Sequence, residues 1–355
     1  MQSIYAESFD QKSSEKAVDT AHRKKINFNI GKYNAVVPKG KMQFNDLEKV
    51  RSLAKNRKWE AVEHLDLYLT QFEEQITKRG AKVFWAEDSE QALDFIGAIC
   101  KKKECKTLVK SKSMVTEEIH LNTYLESIGV ESVETDLGEY IQQLDGEAPY
   151  HIVTPAMHKS KEDVAKLFSE KLGTDINLTP EEMTLVARKN LREKYVQAEI
   201  GVTGANFILS DIGGIALTEN EGNARLSAAF PKTHIVIVGI EKVIPSVTDL
   251  GLFWPLLSTY GTGQQVTVYN SIISGPKQTD ELDGPEEMYV ILLDNGRTNL
   301  LANAKSREAL YCIRCGACLN ACPIYKNIGG HAYETTYSGP CLLYTSPSPR
   351  DAHES

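Results

Sequence analysis

The residues best placed to do chemistry stand near the far end of the chain: Cys312-Ile313-Arg314-Cys315-Gly316-Ala317-Cys318-Leu319-Asn320-Ala321-Cys322-Pro323. Their C-x2-C-x2-C-x3-C-P spacing is the bacterial ferredoxin run that holds a [4Fe-4S] cubane. Cys312, Cys315 and Cys318, a short loop apart, can wrap three irons of one cube. Gly316 lets the backbone pass close to the inorganic sulfides, and Pro323 stops the following segment from continuing a helix. In two-cluster ferredoxins the fourth cysteine of such a run ligates the other cluster, so Cys322 asks for a second run elsewhere. The sequence holds none. Zinc and disulfides are the competing uses of Cys-x-x-Cys pairs. Zinc sites usually bring two separated pairs or added histidines, whereas this is one dense run closed by proline.

Two weaker constellations lie upstream. Lys110, Lys112 and Ser113 fall in a loop between a strand and a helix start, where backbone N–H groups and the helix dipole favour an anion. The alternative is that Ser113 caps the helix and the lysines face water. The loop matches neither a Walker A sequence nor a G-x-G-x-x-G fingerprint. The stretch Thr218 to Arg225 concentrates Glu219, Asn220, Glu221 and Arg225 after an apolar run. It suits either a polar pocket floor, with acid/base work open to Glu219 and Glu221 if burial raises one of them, or a hydrogen-bonded turn. The eight histidines show no metal-like spacing, and His151, His158 and His234 read as packing or surface residues. Cys100 and Cys105 read as ordinary thiols near a helix end.

Composition bounds the rest. In 355 residues, 41% hydrophobic and 25% charged side chains give an ordinary globular balance with material for about two domains. A net charge of −8 and a pI near 5.6 argue against a nucleic-acid partner. Met1 to Asp10 lacks the basic and apolar regions of a secretory leader, and no apolar run is long enough for a bilayer, so the expectation is a cytoplasmic chain with no transmembrane segment. Cysteines gathered mainly in one metal-type run fit a reducing compartment.

The elements that must position these residues follow from periodicity. Residues 1 to about 75 read as helical, with Phe44, Leu47, Val50, Leu53 and Ala54, then Val62, Leu65, Leu69, Phe72 and Ile76, at helical spacing. Ser13 to Lys25 reads as a short helix or a flexible surface segment. From Gly80 strands and helices alternate: a strand at 82–86, a helix opened by Asp88 and Gln91, a strand at 107–110, a helix at 114–128 and a strand at 130–134. Helices follow at 137–144 and 161–172, with a short strand at 152–154 between them. Thr179-Pro180-Glu181-Glu182 predicts a helix start, running to about Glu199. Gly201 to Arg225 suggests hairpin-like strands, and further strands are expected at 234–240, 266–269 and 289–293. Such alternation predicts an α/β fold with a largely parallel sheet.

Several long motifs, in order, resemble one family: VKSKSMVTEEI (Val109 to Ile119), ETDLGEYI (Glu134 to Ile141), TENEGNAR (Thr218 to Arg225), DGPEE (Asp283 to Glu287), DNGR (Asp294 to Arg297) and CIRCGACLNACPIY (Cys312 to Tyr325). From about Trp59 to Pro340 the chain is similar to the LUD-domain iron-sulfur subunits of lactate utilization. The resemblance implies a LUD α/β domain of the NagB/RpiA/CoA-transferase-like class, with N-terminal helices before it and a ferredoxin-type helical [4Fe-4S] module after it. The implied division is 1–75 for the helical segment, 76–300 for the LUD domain and 301–340 for the iron-sulfur module. It further implies a non-catalytic electron-transfer role in oxidising L-lactate to pyruvate, beside other lactate-utilization subunits. A LUD domain that binds or acts on a small anion or nucleotide, with structural or sensory clusters, is the alternative. Members of the family continue past Ser338 to Pro340 into a second cysteine run, so two clusters are implied for the full-length protein. Here residues 341–355 turn abruptly Ser/Pro-rich and resemble translated adapter sequence. They are read as foreign, Cys341 as no ligand, and the iron-sulfur module as incomplete.

Overall fold

The computed structural model describes residues 2–333 together with Thr335 and Tyr337. Cys341 and the rest of the tail read as foreign lie outside the described residues.

Four helices open the chain: α1 (Gln2–Val18), α2 (Thr20–Lys41), α3 (Leu47–Glu63) and α4 (Leu65–Lys78). The segment Ser13 to Lys25 is neither a short helix nor a surface linker. It spans the end of α1 and the start of α2, which Asp19 separates by accepting the His22 N–H. Helix α2 persists through Gly31 and Pro38 because Ile26 and Ile30, one turn apart, are buried against Tyr150, Ile152, Leu319 and Tyr325. Those partners are remote in sequence, so local periodicity carried no sign of them.

The alternating part then runs β1 (Lys82–Ala86), α5 (Ser89–Lys102), β2 (Thr107–Lys110), α6 (Met114–Glu118), α7 (Leu121–Ser127), β3 (Glu131–Glu134), α8 (Leu137–Asp145), α9 (Lys161–Leu172), α10 (Pro180–Gln197) and β4 (Ile200–Thr203). Two expectations fail here. The single helix over 114–128 is two, broken at His120, whose backbone is left-handed (φ 53°). No strand forms over 152–154, where His151 Nδ1 instead accepts the N–H groups of Val153 and Thr154 and folds the segment into a turn. Both anticipated helix starts carry their caps: Asp88 accepts from Gln91 N, and Thr179 and Glu182 form a reciprocal box.

Beyond β4 come β5 (Phe207–Leu209), β6 (Gly214–Glu219), α11 (Asn223–Ala229), β7 (Thr233–Gly239), β8 (Val243–Ile244), α12 (Leu250–Thr262), β9 (Tyr269–Ile273), β10 (Glu287–Leu293), α13 (Arg297–Ala302), α14 (Ala317–Ala321) and α15 (Tyr325–Ile328). The strand expected over 266–269 begins only at Tyr269. Its place is set by antiparallel pairing with β6, from Glu219 opposite Tyr269 to Ile215 opposite Ile273.

Six strands form one sheet in the order β1-β10-β7-β4-β2-β3, every pair parallel. Its central strands read as unbroken apolar runs because both faces are covered. Along β10, Tyr289, Ile291 and Leu293 face the core shared with α5, α6 and α7, while Met288, Val290 and Leu292 face the core shared with α4. The hairpin-like stretch divides its strands. β4 joins the parallel sheet, whereas β5 and β6 pair antiparallel in a second sheet ordered β8-β5-β6-β9. Within β4, Gly201 lies beneath α11, and a Cβ there would be driven into the carbonyl oxygen of Ser227. Gly201→Ala is therefore expected to cost about 1–3 kcal/mol, read from the denaturation midpoint at unchanged slope.

Candidate iron-sulfur centre at the carboxyl edge of the sheet

Parallel strands send all their chain exits to one edge, and in open α/β sheets that edge is where ligands collect. Gly239 ends β7 and leads to Glu241, Leu293 ends β10 and leads to Arg297, and Lys110 ends β2 and leads to Glu118. These three exits build a buried charge network. Arg297 Nη1 and Nη2 donate to Glu118 Oε1 at 2.9 Å and Oε2 at 2.8 Å, while Arg297 Nε donates to Glu241 Oε2 at 2.5 Å. Arg297 and Glu241 are wholly enclosed.

The cysteine run docks onto this network through the residue between its first two cysteines. Arg314 Nη2 donates to Glu241 Oε1 at 2.6 Å and Nη1 to Tyr337 OH at 2.5 Å, with the guanidinium 4.2 Å from the Tyr337 ring centroid. Tyr337 OH in turn donates to Glu118 Oε2 at 2.9 Å. Two left-handed residues, Arg314 (φ 60°) and Gly316 (φ 75°), shape the loop. The first turns the guanidinium inward. At the second, a Cβ would press on Val153 at 3.0 Å and His151 at 3.2 Å, which gives Gly316 its role.

Three of the four cysteines have their own apolar wall. Cys312 packs beside Val62, Leu310 and Tyr337; Cys315 and Ile313 pack beside Phe253 and Leu257; Cys322 packs beside Ile26, Leu319 and Tyr325. Cys318 is the exposed member. Backbone amides point at two of the sulfurs, Arg314 N to Cys312 Sγ at 3.4 Å and Tyr325 N to Cys322 Sγ at 3.5 Å. Burial, with the charges of Cys312 and Cys318, pushes the Cys315 thiol up to about 11. Burial and then Cys312 also raise Cys318. Such crowding opposes three bare thiolates and favours a cationic core between them.

The surrounding charges fit the same group. Burial pulls Lys58 down to about 8 and Lys242 down to about 7, while Glu241 and the Cys312 thiolate hold both upward. Burial alone would raise Glu241, yet Arg297 and Arg314 bring it down to about 2. Four buried basic side chains thus face two carboxylates, a surplus suited to a thiolate-ligated cluster of net negative charge. The donor set itself, four thiols in one dense run with no histidine among them, fits a cubane better than a single zinc, which usually brings two separated pairs or added histidines.

The upstream candidates are deployed differently. Lys110 is fully buried, its Nζ 2.8 Å from Glu117 Oε1 and 2.7 Å from Glu134 Oε1, with Glu139 beyond. Burial opposes its charge, but these three carboxylates raise it well above the usual lysine range. Lys112 faces away from it, donating to the Val153 carbonyl at 2.8 Å. Ser113 is the N-cap of five-residue α6 but makes no side-chain cap bond. Glu219 accepts from Ala224 N at 2.6 Å and Arg225 N at 3.0 Å, fastening the start of α11. Asn220 pairs its amide with Gln264, and Arg225 lies 4.9 Å from the Tyr269 ring centroid. Glu221, an exposed residue, accepts from Leu137 N at 3.1 Å, and partial loss of solvent around its carboxyl, with the Asp136 charge, pushes it upward.

His234 is buried in β7 with Nε2 2.9 Å from Thr203 Oγ1, and burial lowers it to about 3. His151 is likewise buried. His158 instead meets Glu147 and His331, a convergence that sequence spacing hid. Sequence reasoning also missed Glu118, Glu241, Arg297 and Lys242, each an unremarkable charge in a segment that follows a strand. Lys58 alone left a signal: it falls in the apolar register of α3 with Val50, Ala54, Ala61 and Val62.

The family matches agree with this architecture. Residues 69–293 match the LUD domain and residues 308–352 match the 4Fe-4S dicluster domain, a match that runs into the stretch read as foreign. The dicluster match supports an iron-sulfur cluster in the C-terminal module. Lactate utilization protein B of Bacillus pumilus is 47% identical over 306 residues, covering 86% of this chain and 64% of its own length. The protein of the same name from Bacillus subtilis is 44% identical with the same coverage. The chain thus spans less than two thirds of these relatives. A crystal structure of a DUF162 family protein from Deinococcus radiodurans aligns with a TM-score of 0.35 at 15% identity, over 64% of this chain and 98% of that one. With more than half of its residues in the matched α/β region, the chain belongs to the LUD domain family.

Proposed function

We propose that the chain is an iron-sulfur electron-transfer subunit of a system that oxidises L-lactate to pyruvate, working beside other subunits of that system. The observation that carries this reading is the cysteine run itself, walled by apolar side chains and set against a buried surplus of positive charge. The relatives named for lactate utilization support lactate as the substrate in this reading. When bound, a [4Fe-4S] cluster supplies one-electron transfer. The chain's own residues hold it and set its surroundings: Cys312, Cys315 and Cys318 ligate one cluster, and Cys322 reaches toward a second. Arg314, Lys58 and Lys242 offset negative charge, which favours the reduced state, and Ile313 keeps water from one side.

The test combines counting and reduction. After anaerobic reconstitution, iron and sulfide per chain give the number of clusters, and electron paramagnetic resonance of the reduced protein identifies their type. With the remaining subunits present, L-lactate is expected to bleach the visible absorbance of the oxidised protein. A fully loaded protein that lactate leaves oxidised in that complete mixture would sink the assignment.

A further inference from the structure

We propose that Glu147, His158 and His331 form a second metal site, chemically separate from the cysteine run, that takes one divalent cation of the zinc class. The three residues come from the end of the α8 turn, the segment before α9 and the segment after α15. One ligand-capable atom of each lies within 4.8 Å of the other two. Glu147 Oε2 and His158 Nε2 are 3.0 Å apart, close to the separation of two donors sharing an ion at about 2.0–2.2 Å from each. The His158 and His331 ring centroids are 5.1 Å apart at 65°, so the two imidazoles converge edge to face.

The surroundings hold His331 as an outer contact holds a metal ligand. His331 Nε2 lies 2.8 Å from the Ala148 carbonyl oxygen, the type of bond a metal-bound imidazole makes through its other nitrogen. His158 stacks on Tyr150 at 4.5 Å, and Tyr150 OH is itself 2.9 Å from His22 Nε2. His158 Nδ1 is buried without a hydrogen-bond partner. Two imidazoles and one carboxylate, the last partly open to solvent, leave room for water on the ion and match the borderline preferences of zinc.

Lys159 Nζ sits 2.9 Å from Glu147 Oε2 and also contacts Asp145. Its ammonium competes with any cation for the same carboxylate. An ion would displace it toward Asp145, so removing the lysine should strengthen binding.

The full chain and its His158→Gln, His331→Gln, Glu147→Gln and Lys159→Ala variants would be dialysed against zinc and their metal content measured. Zinc taken by the cysteine run is common to all five. Each of the first three variants is expected to retain one equivalent fewer than the parent, and Lys159→Ala to keep the parent's count with several-fold tighter binding. Cobalt in place of zinc is expected to add ligand-field absorption that His158→Gln removes without changing sulfur-to-cobalt charge transfer. Glu147 is partly exposed, so Glu147→Gln keeps the test valid should a histidine variant misfold. An unchanged zinc count in Glu147→Gln, or in either folded histidine variant, would overturn the site.

Discussion

Glu241→Ala is expected to destabilise the chain by about 3–5 kcal/mol, a large share of the ~5–15 kcal/mol typical of a folded protein. Glu241 binds Arg297 through one carboxylate oxygen and Arg314 through the other, and its backbone carbonyl accepts from Lys58 Nζ. Removing the side chain takes a carboxylate from both guanidinium groups where little water reaches, and Glu118, which still holds Arg297, is left to balance them. Much of the loss comes from that uncompensated charge rather than from the missing attraction alone. Urea denaturation should show the midpoint collapse, while Lys55→Ala, which breaks an exposed pair with Glu308, should stay within about 1 kcal/mol. The acid limb gives an independent sign. Folding depresses Glu241 to about 2, so its contribution is complete above its unfolded value and fades as pH falls through about 2. The stability gap between parent and Glu241→Ala should therefore be widest near neutrality and narrow in strong acid. A gap that does not change with pH would contradict the charge explanation.

Cys315→Ala is expected to abolish the visible iron-sulfur absorbance of the reconstituted protein. Cys315 is the middle ligand of the proposed trio and sits against the α12 core, so no other described cysteine can take its place without moving the loop. The loss should exceed the ~10–100-fold weakening typical of outer-shell changes. Arg314→Gln supplies that milder comparison, with a lowered reduction potential if its charge favours the reduced state. Cys105→Ala, buried in the core with α5, should keep the full spectrum. Iron content with ultraviolet-visible spectroscopy reads all three, and an intact spectrum in Cys315→Ala would remove the cysteine from the ligand set.

What was legible in the sequence was local. The cysteine spacing could be read because all its members lie within one short stretch of chain. Asp88, Gln91, Thr179 and Glu182 could be read because caps act over three residues. Short apolar runs marked β1, β2, β7 and β10 because each strand carries its own apolar stretch, bounded by polar or turn residues. The failures share the opposite cause. The run after Met114 looked helical throughout, and only the left-handed turn at His120 divides it. Tyr269–Ile273 became a strand because β6 was there to pair with it. Glu118, Glu241, Arg297 and Arg314 look like surface charges one at a time and become a buried network only when three strand exits share an edge. His158 and His331 gave no metal-like spacing because the fold, not the loop, brings them together.

The sheet order also sets a timetable for synthesis. Strand β1 has β10 as its neighbour, with Lys82 opposite Tyr289 and Ala86 opposite Leu293. At ribosomal speeds of about 5–20 residues per second, β1 waits on the order of 10–40 s for that partner to be made. Until then its apolar edge is open, in a topology whose non-local pairing already slows folding. The nascent chain is therefore most vulnerable to aggregation just before β10 emerges, and chaperone dependence should concentrate in that interval.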